Sequence, residues 1–131
     1  MNIVLLIGRI ILGGFFLYGG IHHFTSLDYM AGYAKMKGTP APKAAVAGTG
    51  ILLILGGLSL LLGAFPMIGC ILLLIFLVGV SPAMHNFWSV PDPQQKANEM
   101  INFTKNLALA GALLMILTMP GPWPLSLWMG R

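Results

Sequence analysis

The sequence predicts an all-α membrane protein, an antiparallel bundle of four transmembrane helices with a short interfacial helix after the first span. Of the 131 residues, 57% are hydrophobic and only 8% are charged, whereas a soluble domain is about one quarter charged. Four apolar stretches are each long enough to cross the roughly 30 Å hydrocarbon core as a helix. Because the four spans use most of the chain, we expect a single domain covering residues 1–131.

The first span is the stretch that ends in a histidine pair, His22 and His23. It lacks both the positive charge ahead of the apolar core and the small-residue cleavage site of a signal peptide, so we expect it to be retained. The predicted spans, in order, are residues 3–24, 43–64, 67–87 and 93–119.

Local signals set the other boundaries. A turn at Phe65 and Pro66 joins spans two and three and requires an antiparallel hairpin. Asp92, Pro93 and Gln95 supply an N-cap, a first-turn proline and a capping box for span four. That helix exceeds the thickness of the hydrocarbon core, so we expect its first third to lie in the interface.

Two shorter segments lie outside the spans. Ser26 is positioned to cap an amphipathic helix over 27–36, whose face of Leu27, Met30, Ala31 and Ala34 would lie in the membrane interface. The tail, residues 120–131, is rich in proline and tryptophan and too short to span, which predicts an interfacial aromatic anchor.

The distribution of basic residues predicts the orientation. Arg131 and Arg9 belong to the side that holds the termini. The connections after spans one and three, with their flanks, carry the lysines Lys35, Lys37, Lys43, Lys96 and Lys105. By the positive-inside rule both termini should face away from the cytoplasm.

The composition also excludes several classes of function. Three acidic residues, seven basic residues and three histidines are too few ionisable side chains for a large hydrolytic or nucleotide-handling site. The net charge of +4 is too scattered for nucleic-acid binding. The single cysteine, Cys70, excludes an intramolecular disulfide and a CxxC motif. The expected partners are the lipid bilayer and other membrane subunits or a second copy of this chain.

The polar residues of the spans converge on the predicted cytoplasmic face. Gln95, Glu99, Asn102 and Asn106 recur at steps of four, three and four along span four, and the same face continues as leucine below them. The sequence therefore predicts a shallow polar pocket at the cytoplasmic interface. The candidate residues for binding a quinone or another headgroup are His22, His23, His85, Trp88, Asn102, Lys105 and Asn106.

Several ligands fit such a pocket. A quinone needs hydrogen-bond donors for its carbonyl groups and apolar walls for its isoprenoid tail, and Lys105 would supply positive charge for a semiquinone or an anionic sulfur substrate. The histidine pair could instead ligate haem, although no spacing specifies it. Zinc would require cysteine or carboxylate ligands beside the histidines, and the only acidic residues nearby are Asp28, Asp92 and Glu99 in the adjoining segments, so no metal site is expected. Each histidine taken singly could also be an interfacial anchor.

Two further features point to packing and contact with the surroundings. Arg9 lies about two turns inside span one, and we expect it to reach lipid phosphate, a partner or the C-terminal carboxylate. Small residues at four-residue spacing predict close helix packing. These pairs are Ala44 with Gly48, Ser59 with Gly63, Gly79 with Ala83, and Ala108 with Ala112.

The order of several short motifs resembles the DoxX family of small four-helix bacterial membrane proteins. These motifs are RIILGGFFLYGGIHHF over 9–24, GTPAP over 38–42, GGLSLLLG over 56–63, HNFW over 85–88 and KNLALAGALL over 105–114. The resemblance covers nearly the whole chain and implies a location in the bacterial inner membrane. It also implies links to redox complexes, because related DoxD-type subunits belong to a thiosulfate:quinone oxidoreductase.

One departure from the family pattern bears on function. Many members carry a glutamate three residues before the GG pair of span two, and this chain has Leu53 there. The first hypothesis is therefore an accessory or anchoring subunit of a membrane redox complex. The second is a quinone-linked oxidoreductase subunit with an interfacial quinone site, and the third is a small transporter.

Overall fold

A computed structural model describes residues 2–119 and shows five α-helices and one short 3₁₀ turn. The α-helices are α1 (Asn2–Thr25), α2 (Leu27–Met36), α3 (Pro42–Leu62), α4 (Pro66–Met84) and α5 (Pro93–Leu117), with the 3₁₀ turn at Phe87–Ser89. Among the described residues, α1, α3, α4 and α5 are long and apolar enough to cross a membrane. The prediction of a four-helix membrane bundle with a short helix after span one is confirmed. The tail predicted as an anchor lies outside the described residues.

The turns explain where the long helices end. Gly63 has a φ of 71° and closes α3 two residues earlier than predicted, because this left-handed conformation terminates a helix. Phe65 also lies in the left-handed region, with φ 49°, and Pro66 then starts α4. The Asp92 side chain accepts a hydrogen bond from the Gln95 backbone N at 2.9 Å, which is the predicted N-cap of α5.

The core runs along the middle of the bundle. Each of the four long helices contributes to it, and its buried residues are Phe16, Leu53, Leu60, Cys70, Leu73, Leu77 and Leu113. Most of the other large apolar side chains are exposed on the outer helix faces, where a bilayer would cover them. The interior of the bundle is thus apolar, as in a soluble protein, but its outer surface is apolar as well.

The closest helix pair is α1 with α3, and glycine makes that approach possible. Gly13 and Gly20 face Gly57 and Gly50, so two pairs seven residues apart meet in antiparallel register. A Cβ on Gly13 would lie 2.8 Å from the Gly57 carbonyl oxygen. The predicted pairs at four-residue spacing do not form this contact. Gly48, a member of one such pair, has no atom within 4 Å of the position that a Cβ would occupy. The seven-residue repeat keeps one seam between two long helices.

Helix α2 covers the end of the bundle at which α1 ends and α3 begins. Its buried residues Ala31 and Ala34 pack with Val46 of α3, and Leu27 and Met30 border this cluster. The predicted apolar face is therefore the packed one. The Ser26 side chain makes no capping hydrogen bond, so that part of the prediction is wrong, and the helix is held by its packing instead.

Arg9 lies inside the bundle rather than on its lipid surface. The residue is 4% exposed, and its guanidinium donates to the carbonyl oxygens of Leu60 (Nε, 3.1 Å) and Leu61 (Nη2, 3.3 Å). These carbonyls belong to the last turn of α3, where helices leave acceptors unpaired and the helix dipole favours a cation. The contact of Arg9 with lipid phosphate, a partner or the C-terminal carboxylate stays a prediction.

Candidate functional site

The polar side chains of the spans gather at one end of the bundle. This end is formed by the last turns of α1 and α4, the first turns of α3, the N-terminal half of α5, and α2 across the top. The alternating direction of the helices brings these segments together, as an antiparallel bundle requires. The convergence of polar residues on one face therefore follows from topology.

A cavity of about 690 Å³ opens beneath α2 at this end. Its walls are mainly apolar and include Phe16, Leu53, Phe76 and Leu77. Along α1 it runs from the histidine pair to Phe16, a distance of roughly 10 Å at 1.5 Å per residue. The pocket is therefore deeper than the shallow interfacial one that the sequence predicted, because small and β-branched residues leave space between the helices below the polar end.

His23 is the most buried of the three histidines. The ring is held by Nδ1, which lies 3.0 Å from the Val46 carbonyl oxygen and 3.2 Å from Thr49 Oγ1. Phe76 packs edge-on against it, with ring centroids 5.9 Å apart. His23 is 8% exposed and also lines the cavity. These contacts fix the orientation of the imidazole.

Glu99 is the centre of a buried polar network beside the cavity. Its carboxylate accepts a hydrogen bond from the Tyr33 hydroxyl at 2.6 Å and lies 3.4 Å from His85 Nδ1. The Lys37 ammonium is 3.7 Å away, and Asn102 Nδ2 donates to the carboxylate at 3.4 Å. Although Glu99 is only 6% exposed, its charge is matched by four groups from three different segments. Buried carboxylates need such partners.

Tyr33 closes the network from α2. Its hydroxyl also lies 3.4 Å from the Met84 carbonyl oxygen. Burial and the neighbouring Glu99 carboxylate raise the pKa of the Tyr33 phenol well above its usual value. The phenol therefore remains protonated and acts as a hydrogen-bond donor to Glu99 throughout the physiological pH range.

Each residue of the HNFW motif after α4 makes a contact with another segment of the bundle. His85 faces Glu99, and the Asn86 Oδ1 accepts from the Lys37 ammonium at 2.7 Å. Phe87 and Trp88 stack edge-on with Phe103 of α5, at centroid separations of 5.6 and 5.5 Å. The motif therefore joins α2, α4 and α5 at the polar end.

The structure brings most of the predicted site residues to the cavity but not all of them. Trp88 is 55% exposed and points to Phe103 rather than to the cavity, because the 3₁₀ turn carries it outward. The Asn102 amide donates a hydrogen bond to Glu99, and the residue does not line the cavity. The predicted residues that do line it are His22, His23, His85, Lys105 and Asn106.

Three residues of the site were not among the predicted site residues. Tyr33 and Lys37 lie around a helix predicted only as amphipathic, and Glu99 was seen only as one member of a polar stripe. The polar stripe is the sequence signal that could have identified Glu99. Its helix face continues into leucine, so a glutamate on that face is expected to be buried and to need polar partners. This chain has Leu53 where the family pattern has a glutamate, yet it carries a buried carboxylate, Glu99, on α5.

Residues 4–86 match the DoxX family. The chain belongs to this family. The match covers α1 to α4, so Glu99, Asn102 and Asn106 of α5 lie outside it. The resemblance stated from the sequence motifs is confirmed.

A second comparison points to the same kind of protein. The chain is 29% identical to the "Inner membrane protein YphA" of Escherichia coli (strain K12) over 125 residues, which cover 95% of this chain and 88% of that protein. No solved structure matches the chain. With its four spanning helices, this DoxX-family protein is a multi-pass inner-membrane protein in contact with the lipid bilayer.

Proposed function

We propose that this DoxX-family protein is a quinone-binding subunit of an inner-membrane redox complex. The observation that carries the proposal is the cavity, which combines apolar walls in the bilayer with polar side chains at one end. This shape supports the quinone-linked hypothesis above the purely accessory one that the scarcity of charged residues favoured.

The size and lining of the cavity suit an amphipathic ligand. Its volume of about 690 Å³ lies within the roughly 300–1,000 Å³ typical of small-molecule sites. A quinone ring would lie near His23, His85 and Asn106, and the first isoprenoid units would lie along Phe16 and Leu77. A quinone carries redox equivalents through the membrane. The residues of this chain would bind it, orient its ring and exclude water.

The protein could bind a quinone and also anchor a partner subunit of the complex. On the outer surface of α5, a Cβ placed on Gly111 would meet no atom within 4 Å, so another helix could approach its backbone closely. A partner subunit that donates or accepts electrons would bind on such a surface. The transporter hypothesis has less support, because α1 and α3 are continuous helices rather than broken ones.

A cavity-filling substitution tests the proposal. Gly79 lines the cavity and has nothing within 4 Å of its Cβ position, so Gly79→Leu should fill the space without a backbone clash. We expect the purified wild-type protein to retain extractable quinone and Gly79→Leu to lose at least about 90% of it, because a tenfold loss needs only about 1.4 kcal/mol.

The matched control is Gly8→Leu, which adds the same side chain at an exposed glycine that does not line the cavity. It should retain wild-type quinone content. Equal quinone content in wild type and Gly79→Leu, or none in either, would exclude the cavity as a quinone site.

We further propose that the cavity end faces the cytoplasm, with both termini on the other side. The lysines around that end support this orientation. A reporter enzyme that is active only outside the cytoplasm should therefore be active when fused after Arg131. Activity of a cytoplasm-specific reporter at the same position would reverse the orientation.

A further inference from the structure

Three histidines line the cavity, and two of them, His23 and His85, use Nδ1 for a contact within the protein. Nδ1 of His23 lies 3.0 Å from the Val46 carbonyl oxygen, which can only accept a hydrogen bond. The Thr49 hydroxyl donates to backbone carbonyls of its own helix, at 2.8 Å from Ala45, so its oxygen also faces His23 as an acceptor. The proton of the neutral His23 ring is thereby assigned to Nδ1.

His85 has the same arrangement with a different acceptor. Its Nδ1 lies 3.4 Å from Oε1 of Glu99. The other carboxylate oxygen accepts from Tyr33 and faces the Lys37 ammonium, and these donors favour the ionised form of Glu99. An ionised carboxylate only accepts, so the proton of neutral His85 is also assigned to Nδ1.

The consequence concerns the other nitrogen of each ring. Among residues 2–119, nothing forms a hydrogen bond with Nε2 of His23 or His85. With Nδ1 protonated, Nε2 is an acceptor. The cavity therefore presents two imidazole acceptors to its ligand, whereas the carbonyl groups of a quinone are themselves acceptors.

From this geometry we infer that the cavity selects a ligand with hydroxyl donors, the reduced quinol, over the oxidised quinone. The inference rests on the proposed quinone-binding function and specifies the redox form that binds. Each quinol hydroxyl can donate to one Nε2. A quinone carbonyl oxygen in the same place is an acceptor that faces the Nε2 acceptor, so no hydrogen bond can form between them.

The donors of the cavity do not reverse this preference. The Lys105 ammonium lies 5.6 Å from the centroid of the Phe15 ring and can only donate, and it can donate to a quinone carbonyl oxygen or to a quinol hydroxyl oxygen alike. The Asn106 amide carries both a donor and an acceptor and can serve either redox form. His23 and His85, whose Nδ1 atoms are held within the protein, are therefore the groups that distinguish a quinol from a quinone.

Equilibrium binding to the purified full-length protein in nanodiscs tests the inference. The probes are decylubiquinol, kept reduced under anaerobic conditions, and decylubiquinone. We expect the quinol to bind about tenfold more tightly, the sum of two modest hydrogen bonds. Glu99→Gln, whose amide can present a donor to Nδ1 of His85, should reduce this ratio severalfold, whereas Gln95→Ala on the exposed start of α5 should preserve it.

A second measurement does not depend on ligand or activity. In ¹⁵N NMR spectra of the histidine-labelled protein at neutral pH, Nε2 of His23 and His85 should give signals of an unprotonated imine nitrogen. Tight binding of quinone without quinol preference, or protonated Nε2 signals from these neutral rings, would overturn the inference and leave the proposed function intact. Binding of neither probe would overturn both.

Discussion

Replacing Gly57 by alanine is expected to destabilise the bundle by about 2–3 kcal/mol, the usual cost of overpacking a tight contact. The new Cβ would lie 2.6 Å from the Leu17 backbone nitrogen and 2.8 Å from the Gly13 carbonyl oxygen. Because both atoms belong to the backbone of α1, no side-chain rotation can relieve the clash. The whole α1–α3 pair must separate. Unfolding by denaturing detergent, followed by circular dichroism, measures the loss.

Gly48→Ala is the matched control, in the same helix and with the same added methyl group. Its Cβ would meet nothing within 4 Å, so it should change the unfolding free energy by less than about 1 kcal/mol and in the favourable direction that alanine gives a helix. Equal behaviour of the two variants would contradict the role of the glycine seam.

Replacing Glu99 by alanine is expected to cost about 3 kcal/mol, within the range for breaking a buried ion pair on one side. The variant leaves the Lys37 ammonium facing a buried space and removes the acceptor for the Tyr33 hydroxyl and His85 Nδ1. Because these groups tie α2 and α4 to α5, the polar end should open first. Hydrogen exchange of α2 together with detergent unfolding measures both effects.

Two further variants separate the charge from the packing at this site. Gln95→Ala, an exposed side chain of the same helix, should have almost no effect. Combining Lys37→Met with Glu99→Met should restore only part of the stability lost in Glu99→Ala, since it removes the unpaired ammonium but still leaves the Tyr33 hydroxyl and His85 Nδ1 without the carboxylate. A loss in Glu99→Ala no greater than that in Gln95→Ala would show that the network does not stabilise the bundle.

Much of this architecture could be predicted from the sequence because the signals are local. Apolar length gives the spans, Asp92 gives the start of α5, and the turn at Phe65 and Pro66 gives the α3–α4 hairpin. The glycine seam could not be predicted with the same ease. Four-residue motifs are abundant in an apolar chain, and only the register of α1 against α3 selects the seven-residue pairs that make contact.

The location of the site could be predicted from the sequence, but the hydrogen-bond partners within it could not. Topology brings His23, His85 and Asn106 to one end, because α1 and α4 end there and α5 begins there. The partners of Glu99 come from α2 and from the segment after α4, so their meeting depends on how α2 folds over the bundle. A single sequence contains no signal for such long-range pairing between Tyr33 and Glu99.

The account depends most directly on where a quinone binds. Photolabelling of the membrane-embedded protein with an azidoquinone, followed by peptide mass spectrometry, locates the ring. We predict labels on the cavity walls near the polar end, at Phe76 or Met84 and on the α1 segment around His23, and loss of these labels in Gly79→Leu. Labels confined to the outward-facing side chains of the helices, unchanged in Gly79→Leu, would contradict the account.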